Sequence, residues 1–127
     1  MPVLLLSLFL IPAVVAPVFA AQLTVSVSPS SRSTTPGGTV QFTLTINQNY
    51  AGADIISMYA LSHNTPISSW WTSPDPLYTS GQGTYYMTLY ITVSSSAAPG
   101  TYYNIAYVDS WYHGYNAQSN TFYIQVT

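Results

Sequence analysis

The sequence predicts an all-β protein: a sandwich of two sheets with about seven strands, preceded by a hydrophobic N-terminal segment. Two observations support this prediction. Apolar and polar residues alternate in short segments, and clusters of Pro, Gly, Ser and Asn separate those segments. The alternation is clearest in "TYYMTLYITV" (84–93), where every second residue from Tyr85 to Val93 would face one side of a strand. After residue 20, no segment has the periodicity of an amphipathic helix.

The predicted strands follow one another at short, regular intervals. In the first of them, "QLTVSVS", the side chains of Leu23, Val25 and Val27 would point into the core. The seven predicted strands are 22–28, 39–46, 55–61, 67–71, 84–93, 101–110 and 120–127. Between them, the segments predicted as the longest loops are 28–38, 72–83 and 111–119.

One strand, "TYYNIAYVDS" (101–110), allows two registers. Either Tyr103, Ile105 and Tyr107 face the core, or Tyr102, Ala106 and Val108 do. The second register also buries Asn104, whose amide would then need hydrogen-bond partners. The alternation alone leaves both registers open.

Charged residues are almost absent from this chain of 127 residues, at 3% of the total, and the formal net charge is -2. A single arginine, Arg32, cannot form the basic surface that binding to a phosphate backbone requires, so no nucleic-acid partner is predicted. Cysteine is also absent, so the core must hold the domain together without disulfides. The acidic residues are Asp54, Asp75 and Asp109.

The first twenty residues form an apolar run that ends in small residues, with Val18 and Ala20 at the positions expected before a signal-peptide cleavage site. A membrane anchor and a retained hydrophobic arm are the alternatives, and Pro12 and Pro17 disfavour a continuous membrane-spanning helix. The choice stays open, and a membrane contact is expected only if this segment is retained. All three alternatives place the domain at 21–127 outside the cytoplasm, extracellular or at the cell surface.

Three turn and core signals suggest a family. A Pro-Gly-Gly turn at 36–38 precedes the second strand, Pro66 precedes the pair Trp70 and Trp71, and "APGTY" at 98–102 opens the next-to-last strand. With these signals the chain resembles the prokaryotic immunoglobulin-like domains of exported surface proteins in archaea and bacteria. The resemblance implies a single immunoglobulin-like Greek-key β-sandwich.

The resemblance also implies roles for individual core residues. It favours the register that turns Tyr102 inward as a tyrosine corner, and one tryptophan of the Trp70–Trp71 pair as the core tryptophan of the sandwich. Because adjacent residues of a strand point to opposite faces, the other tryptophan would be exposed.

The segment "DSWYHGY" (109–115) holds the densest group of aromatic and ionisable residues. Asp109 and His113 could meet at a metal ion, but the sequence offers no obvious third ligand, so neither a metal site nor a cofactor is predicted. The chain also lacks the motif of a serine nucleophile elbow. We therefore predict that the protein is not an enzyme.

The favoured function is a structural subunit of an extracellular filament, such as a pilus, or of a cell-surface assembly, with other copies of the chain as partners. Low charge and the lack of edge lysines leave little to keep copies apart. Strand addition would involve Leu23, Val25 and Val27. The tyrosines expected on the outer faces and available for self-association are Tyr86, Tyr90 and Tyr123.

The alternative function is a carbohydrate-binding or adhesive surface module, with surface glycans as partners. Aromatic rings can stack on sugars, and the candidate stacking residues are Trp71, Trp111, Tyr112 and Tyr115.

The small number of ionisable side chains also predicts how the domain responds to acid. With three Asp, no Glu and two His, few groups link folding to pH. We expect from this a melting temperature that changes little between about pH 7 and about pH 2.

Overall fold

A computed structural model of the protein describes residues 21–127, which form two β-sheets packed face to face. The predicted signal segment, residues 1–20, lies outside the described residues. Within the described part of the chain, no helix has the length and apolar character needed to cross a membrane. The ten strands are β1 (Leu23–Ser28), β2 (Ser31–Thr34), β3 (Thr39–Gln48), β4 (Asp54–His63), β5 (Ile67–Ser73), β6 (Leu77–Thr79), β7 (Gly83–Val93), β8 (Gly100–Ser110), β9 (Asn116–Gln118) and β10 (Phe122–Val126).

The four-stranded sheet has the order β1-β3-β7-β5, and the six-stranded sheet has the order β2-β10-β8-β4-β6, with β9 beside β8. This arrangement matches an immunoglobulin-like sandwich, in which strands A, B, E and D face strands G, F and C. The predicted all-β two-sheet fold is therefore confirmed.

Three strands were missed in the sequence because each lies within a predicted loop and has only three or four residues. β2 has no inward-facing apolar residue at all, since it is the exposed segment "SRST". It takes the chain from the edge of one sheet to the edge of the other: β1 pairs antiparallel with β3, and β2 pairs parallel with β10. Strands this short do not show a period of two in the sequence.

The core lies between the sheets and is filled by the alternating side chains that the sequence placed there. At its centre Phe42 of β3 contacts Phe122 of β10, with the ring centroids 4.7 Å apart. Trp70 packs against this core while Trp71 is exposed, as expected for neighbours on one strand. Every buried side-chain nitrogen and oxygen in residues 21–127 has a hydrogen-bond partner.

The structure settles the register of β8. Tyr102, Ala106 and Val108 face the core, and Asn104 is fully buried between them. The amide oxygen of Asn104 accepts a 2.9 Å hydrogen bond from the Thr65 hydroxyl, and its nitrogen donates to the carbonyl of Phe122. The hydroxyl of Tyr102 donates to the carbonyl of Ala98 at 2.7 Å, which is the contact of a tyrosine corner.

The tyrosine corner can be tested with a matched pair of substitutions on adjacent residues. Tyr102→Phe removes the hydrogen bond to Ala98, and we expect the free energy of unfolding to fall by about 1 kcal/mol. Tyr103→Phe is the control, because Tyr103 is on the outer face and its hydroxyl has no hydrogen-bond partner among the described residues. Urea denaturation measures both. Equal effects would show that the Tyr102 hydroxyl is not a specific contact.

Candidate functional site

The outer face of the four-stranded sheet carries no Asp, Glu, Lys, Arg or His on any of its four strands. We call it the uncharged face. Its side chains point away from the core, because they alternate along each strand with the side chains that are buried in the core. Its members are Thr24, Ser26, Ser28, Thr39, Gln41, Thr43, Thr45, Asn47, Ser69, Trp71, Ser73, Thr84, Tyr86, Thr88, Tyr90 and Thr92.

Aromatic rings and paired hydroxyls give the uncharged face a fixed surface. Trp71 stacks on Tyr90 of the neighbouring strand, with ring centroids 5.1 Å apart and planes within 6°. The hydroxyls of Thr39 and Thr92 are 2.8 Å apart and hydrogen-bonded. Tyr86 projects from the middle of this face with 61% of its surface exposed. Of the tyrosines predicted here, Tyr86 is thus free at the surface, whereas Tyr90 is half-covered.

The outer face of the six-stranded sheet is aromatic as well, and the predicted Tyr123 lies on it. Tyr123 is opposite Tyr103 on the neighbouring strand, and both are exposed. Further along the same face the rings of Tyr59 and Tyr107 have their centroids 6.2 Å apart. The tyrosines proposed for self-association therefore lie on two opposite surfaces of the sandwich.

Strand β1 lies at an edge of the four-stranded sheet, where the side chains of Leu23, Val25 and Val27 are buried in the domain's own core. Its free edge is partly closed. The side-chain oxygen of Asn120 accepts from the Val27 N–H at 2.8 Å, and the side-chain nitrogen donates to the Val27 carbonyl at 3.2 Å. Because hydrogen-bonding directions alternate along a strand, the main-chain groups of Leu23 and Val25 also point away from β3.

The four side chains proposed for glycan stacking do not come together. Trp71 lies on the uncharged face, while Trp111 and Tyr112 are exposed after the end of β8, in the other sheet. Tyr115 is half-buried and packs edge-on against Tyr50, with ring centroids 4.9 Å apart. No single sugar could contact all four.

The most concentrated group of ionisable side chains is the Asp54 cluster: Tyr50, Asp54, Ser110, His113 and Tyr115. The fully buried carboxylate of Asp54 accepts hydrogen bonds from the hydroxyls of Tyr50, at 2.7 Å, and Ser110. The Nδ1 atom of His113 lies 3.0 Å from the same oxygen, Oδ2. The His113 ring in turn stacks on Tyr115. The cluster joins the segment before β4 to the loop after β8.

Two main-chain groups complete the shell around this carboxylate. Oδ1 of Asp54 accepts from the N–H of Ile55 at 2.7 Å and from the N–H of Tyr112 at 3.1 Å. Burial alone would raise the pKa of Asp54, but these bonds and those from Ser110 and Tyr50 favour the ionised form and hold the pKa well below its usual range. Burial, together with the negative charge of Asp54, raises the pKa of Tyr50 to about 12.

Asp109 and His113, which the sequence suggested could meet, have separate partners. Asp109 accepts a hydrogen bond from the Ser57 hydroxyl at 2.9 Å, whereas His113 contacts Asp54. Among residues 21–127, no three His, Cys, Asp or Glu side chains are grouped closely enough to hold a metal ion. The importance of Asp54 was missed, because it ends a segment, "NQNYAGAD", that is polar and turn-like in sequence. Nothing local shows that this segment meets residues 110–115.

No protein-family model matches the sequence, and no curated protein matches it either. Solved structures do resemble it. A family 123 glycoside hydrolase from Clostridium perfringens aligns with a TM-score of 0.53 and 10% identity, over 84% of this chain and 27% of that one. The sporulation control protein Spo0M of Bacillus subtilis aligns with a TM-score of 0.50 and 14% identity, over 86% of this chain and 50% of that one.

A third structure, the cupredoxin domain of amoB from Nitrosocaldus yellowstonii, aligns with a TM-score of 0.49 and 16% identity, over 69% of this chain and 55% of that one. This chain thus spans between 27% and 55% of the lengths of these three structures. At such low identities the first two structures show the fold alone. The class of protein they support is a β-sandwich domain, in agreement with its strand order.

The Asp54 cluster changes the expected response to acid. Because the folded-state pKa of Asp54 is lowered, its contribution to stability is complete above the unfolded-state pKa of about 3.9 and is lost as pH falls below that value. We expect the free energy of unfolding to fall by up to about 1.4 kcal/mol per pH unit between about pH 4 and pH 2. The sequence predicts a melting temperature that changes little between about pH 7 and about pH 2. With Asp54 buried and hydrogen-bonded, we expect this only above about pH 4.

Urea denaturation of three proteins at several pH values measures this effect. Asp54→Asn should be less stable at neutral pH by about 3 kcal/mol, since several buried donors lose a charged acceptor, and should lose the acid-dependent slope. Asp75→Asn is the control, because Asp75 is exposed and should keep the slope of the natural protein. A slope that is the same in all three proteins would show that Asp54 is not responsible.

Proposed function

We propose that the protein is a non-enzymatic structural subunit of an extracellular filament or cell-surface assembly and that it associates with other copies of itself. The observation that supports this most directly is the uncharged face, which extends across all four strands of one sheet. Charged side chains, lysine above all, normally prevent sheets from associating. A face with hydroxyl, amide and aromatic groups only, and with Tyr86 projecting from it, lacks that protection.

The edge of β1 is the second surface in this proposal. A strand from a neighbouring copy could pair with the outward main-chain groups of Leu23 and Val25, where hydrogen bonds supply affinity without sequence-specific charges. The Asn120 side chain occupies the next position, Val27, so the added strand would pair with the first half of β1. In this form of strand addition β1 stays in its own sheet, which fits the burial of its apolar side chains.

The location outside the cytoplasm is part of the proposal and rests on the sequence. The apolar segment at 1–20 ends in small residues, as secretory signals do, and the resemblance to domains of exported surface proteins agrees with it.

A charge placed on the uncharged face tests its role in assembly. Tyr86→Lys should reduce polymer length or abolish polymers, because burying an unpaired ammonium between copies is costly. Tyr112→Lys is the matched control, since Tyr112 is 67% exposed but lies on the loop after β8. Sedimentation and electron microscopy of the purified proteins give the outcome. Normal polymers from Tyr86→Lys would exclude this face as a contact between copies.

Proline substitutions test the edge of β1 separately. Val25→Pro removes an N–H that points away from β3, so the domain should stay folded while strand addition fails. Ser26→Pro removes an N–H that points toward β3 and so breaks a hydrogen bond between the two strands, which should lower the free energy of unfolding by at least about 1 kcal/mol. Circular dichroism reports folding and electron microscopy reports assembly. If the folded Val25→Pro protein forms normal polymers, copies do not pair along this edge.

A further inference from the structure

A bulge in β4 places two residues, Tyr59 and Ala60, beside Tyr107 of β8 where a regular strand would place one. The pairing of β4 with β8 shifts register between Met58 and Ala60, and Tyr59 is the extra residue. Bulges often reorient a side chain at functional positions. Tyr59 faces outward, as Ser57 does two residues earlier, with 51% of its surface exposed, and its ring lies 6.2 Å from that of Tyr107, at an angle of 52°.

Strand β9 pairs with β8 on the side away from β4, and it carries two amide side chains near Tyr107. Its register places Gln118 opposite Tyr107 and Asn116 opposite Asp109. Residues opposite each other in an antiparallel pair lie on the same face of the sheet, so both amides stand beside the Tyr107 ring. Between them lies an open depression of about 260 Å³, lined by Tyr59, Tyr107, Asn116, Ala117 and Gln118.

Some polar side chains near this depression are hydrogen-bonded to one another, and others are not. Trp111 donates its indole N–H to the Ser57 hydroxyl at 2.9 Å, and Ser57 donates to Oδ1 of Asp109 at 2.9 Å, which fixes all three side chains. Within residues 21–127, by contrast, the side-chain amides of Asn116 and Gln118 make no hydrogen bond to the protein. Two amides are therefore available for a ligand beside the rings of Tyr59 and Tyr107.

We propose that this depression, the Tyr59–Gln118 site, binds one or two sugar units of an uncharged glycan. A pyranose ring can place its C–H face against a tyrosine ring while its hydroxyls bond to amides, which both donate and accept. The lining contains no cation to bind a carboxylate or sulfate group. The volume is slightly below the range of about 300–1,000 Å³ for drug-sized ligands, which suits one or two sugar rings.

The site goes beyond the proposed structural role and does not depend on it, since it lies on the opposite sheet from the uncharged face. It also differs from the stacking residues predicted from sequence. Its lining is formed by Tyr59, Tyr107 and the two amides, and it includes none of Trp71, Trp111, Tyr112 and Tyr115. A subunit with both surfaces could bind its own copies with one sheet and a sugar with the other.

Saturation-transfer NMR tests the site, because it observes the sugar and works whether or not the protein is assembled. The probes are cellohexaose, maltohexaose and chitohexaose in its N-acetylated form, with an oligogalacturonate as the charged comparison. We expect saturable binding of at least one uncharged probe at millimolar concentration. Tyr59→Ala and the double variant Asn116→Ala/Gln118→Ala should each weaken that binding at least about tenfold.

The control is Tyr78→Ala, which removes an exposed tyrosine ring on β6 that does not line the depression and should leave sugar binding unchanged. Circular dichroism shows that each variant is folded. The proposal is overturned if none of the uncharged probes binds at about 10 mM, a level at which even weak specific binding is detectable. It is also overturned if only the oligogalacturonate binds, or if Tyr59→Ala binds sugar as well as the natural protein does.

Discussion

The buried carboxylate of Asp54 holds one end of the sandwich together. It accepts hydrogen bonds from the hydroxyl of Tyr50, four residues before it in sequence. It also accepts them from the hydroxyl of Ser110, at the end of β8, and from the N–H of Tyr112 in the following loop. A buried charge is tolerated only when it is fully hydrogen-bonded, and together with the N–H of Ile55 these donors satisfy both carboxylate oxygens. Through these contacts Asp54 ties the start of β4 to the loop between β8 and β9.

The longer strands could be predicted from the sequence because apolar residues that face inward alternate with polar residues that face outward along each strand. The inward orientation of Tyr85, Met87 and Leu89 needs no knowledge of the rest of the chain. The short strands β2, β6 and β9 could not be predicted, because their positions depend on partners far away in sequence. The same holds for Asp54 and for the pairing of Tyr59 with Tyr107, since both contacts join segments about fifty residues apart.

The two outer faces of the sandwich have different chemistry although both are rich in tyrosine. On the uncharged face some polar side chains are paired with one another, as in the bonds between Thr39 and Thr92 and between Thr84 and Asn47, and its one register shift lies near the start of β5, between Ile67 and Ser69. The other face is interrupted by the bulge at Tyr59 and carries unpaired amides near a concave region. A concave region with available hydrogen-bonding groups suits a small polar ligand, whereas a broad face without charges or a concave centre does not.

The parallel pairing of β2 with β10 has a mechanical consequence. Four residue pairs, from Tyr123 with Ser31 to Val126 with Thr34, join the strand near the start of the domain to the strand near its end. Because the two strands run in the same direction, tension between the beginning of β2 and the end of β10 acts along their length. All the hydrogen bonds between them then share the load and must break together, rather than opening one at a time. This strand pair therefore resists a pull along its own axis better than a pull across it.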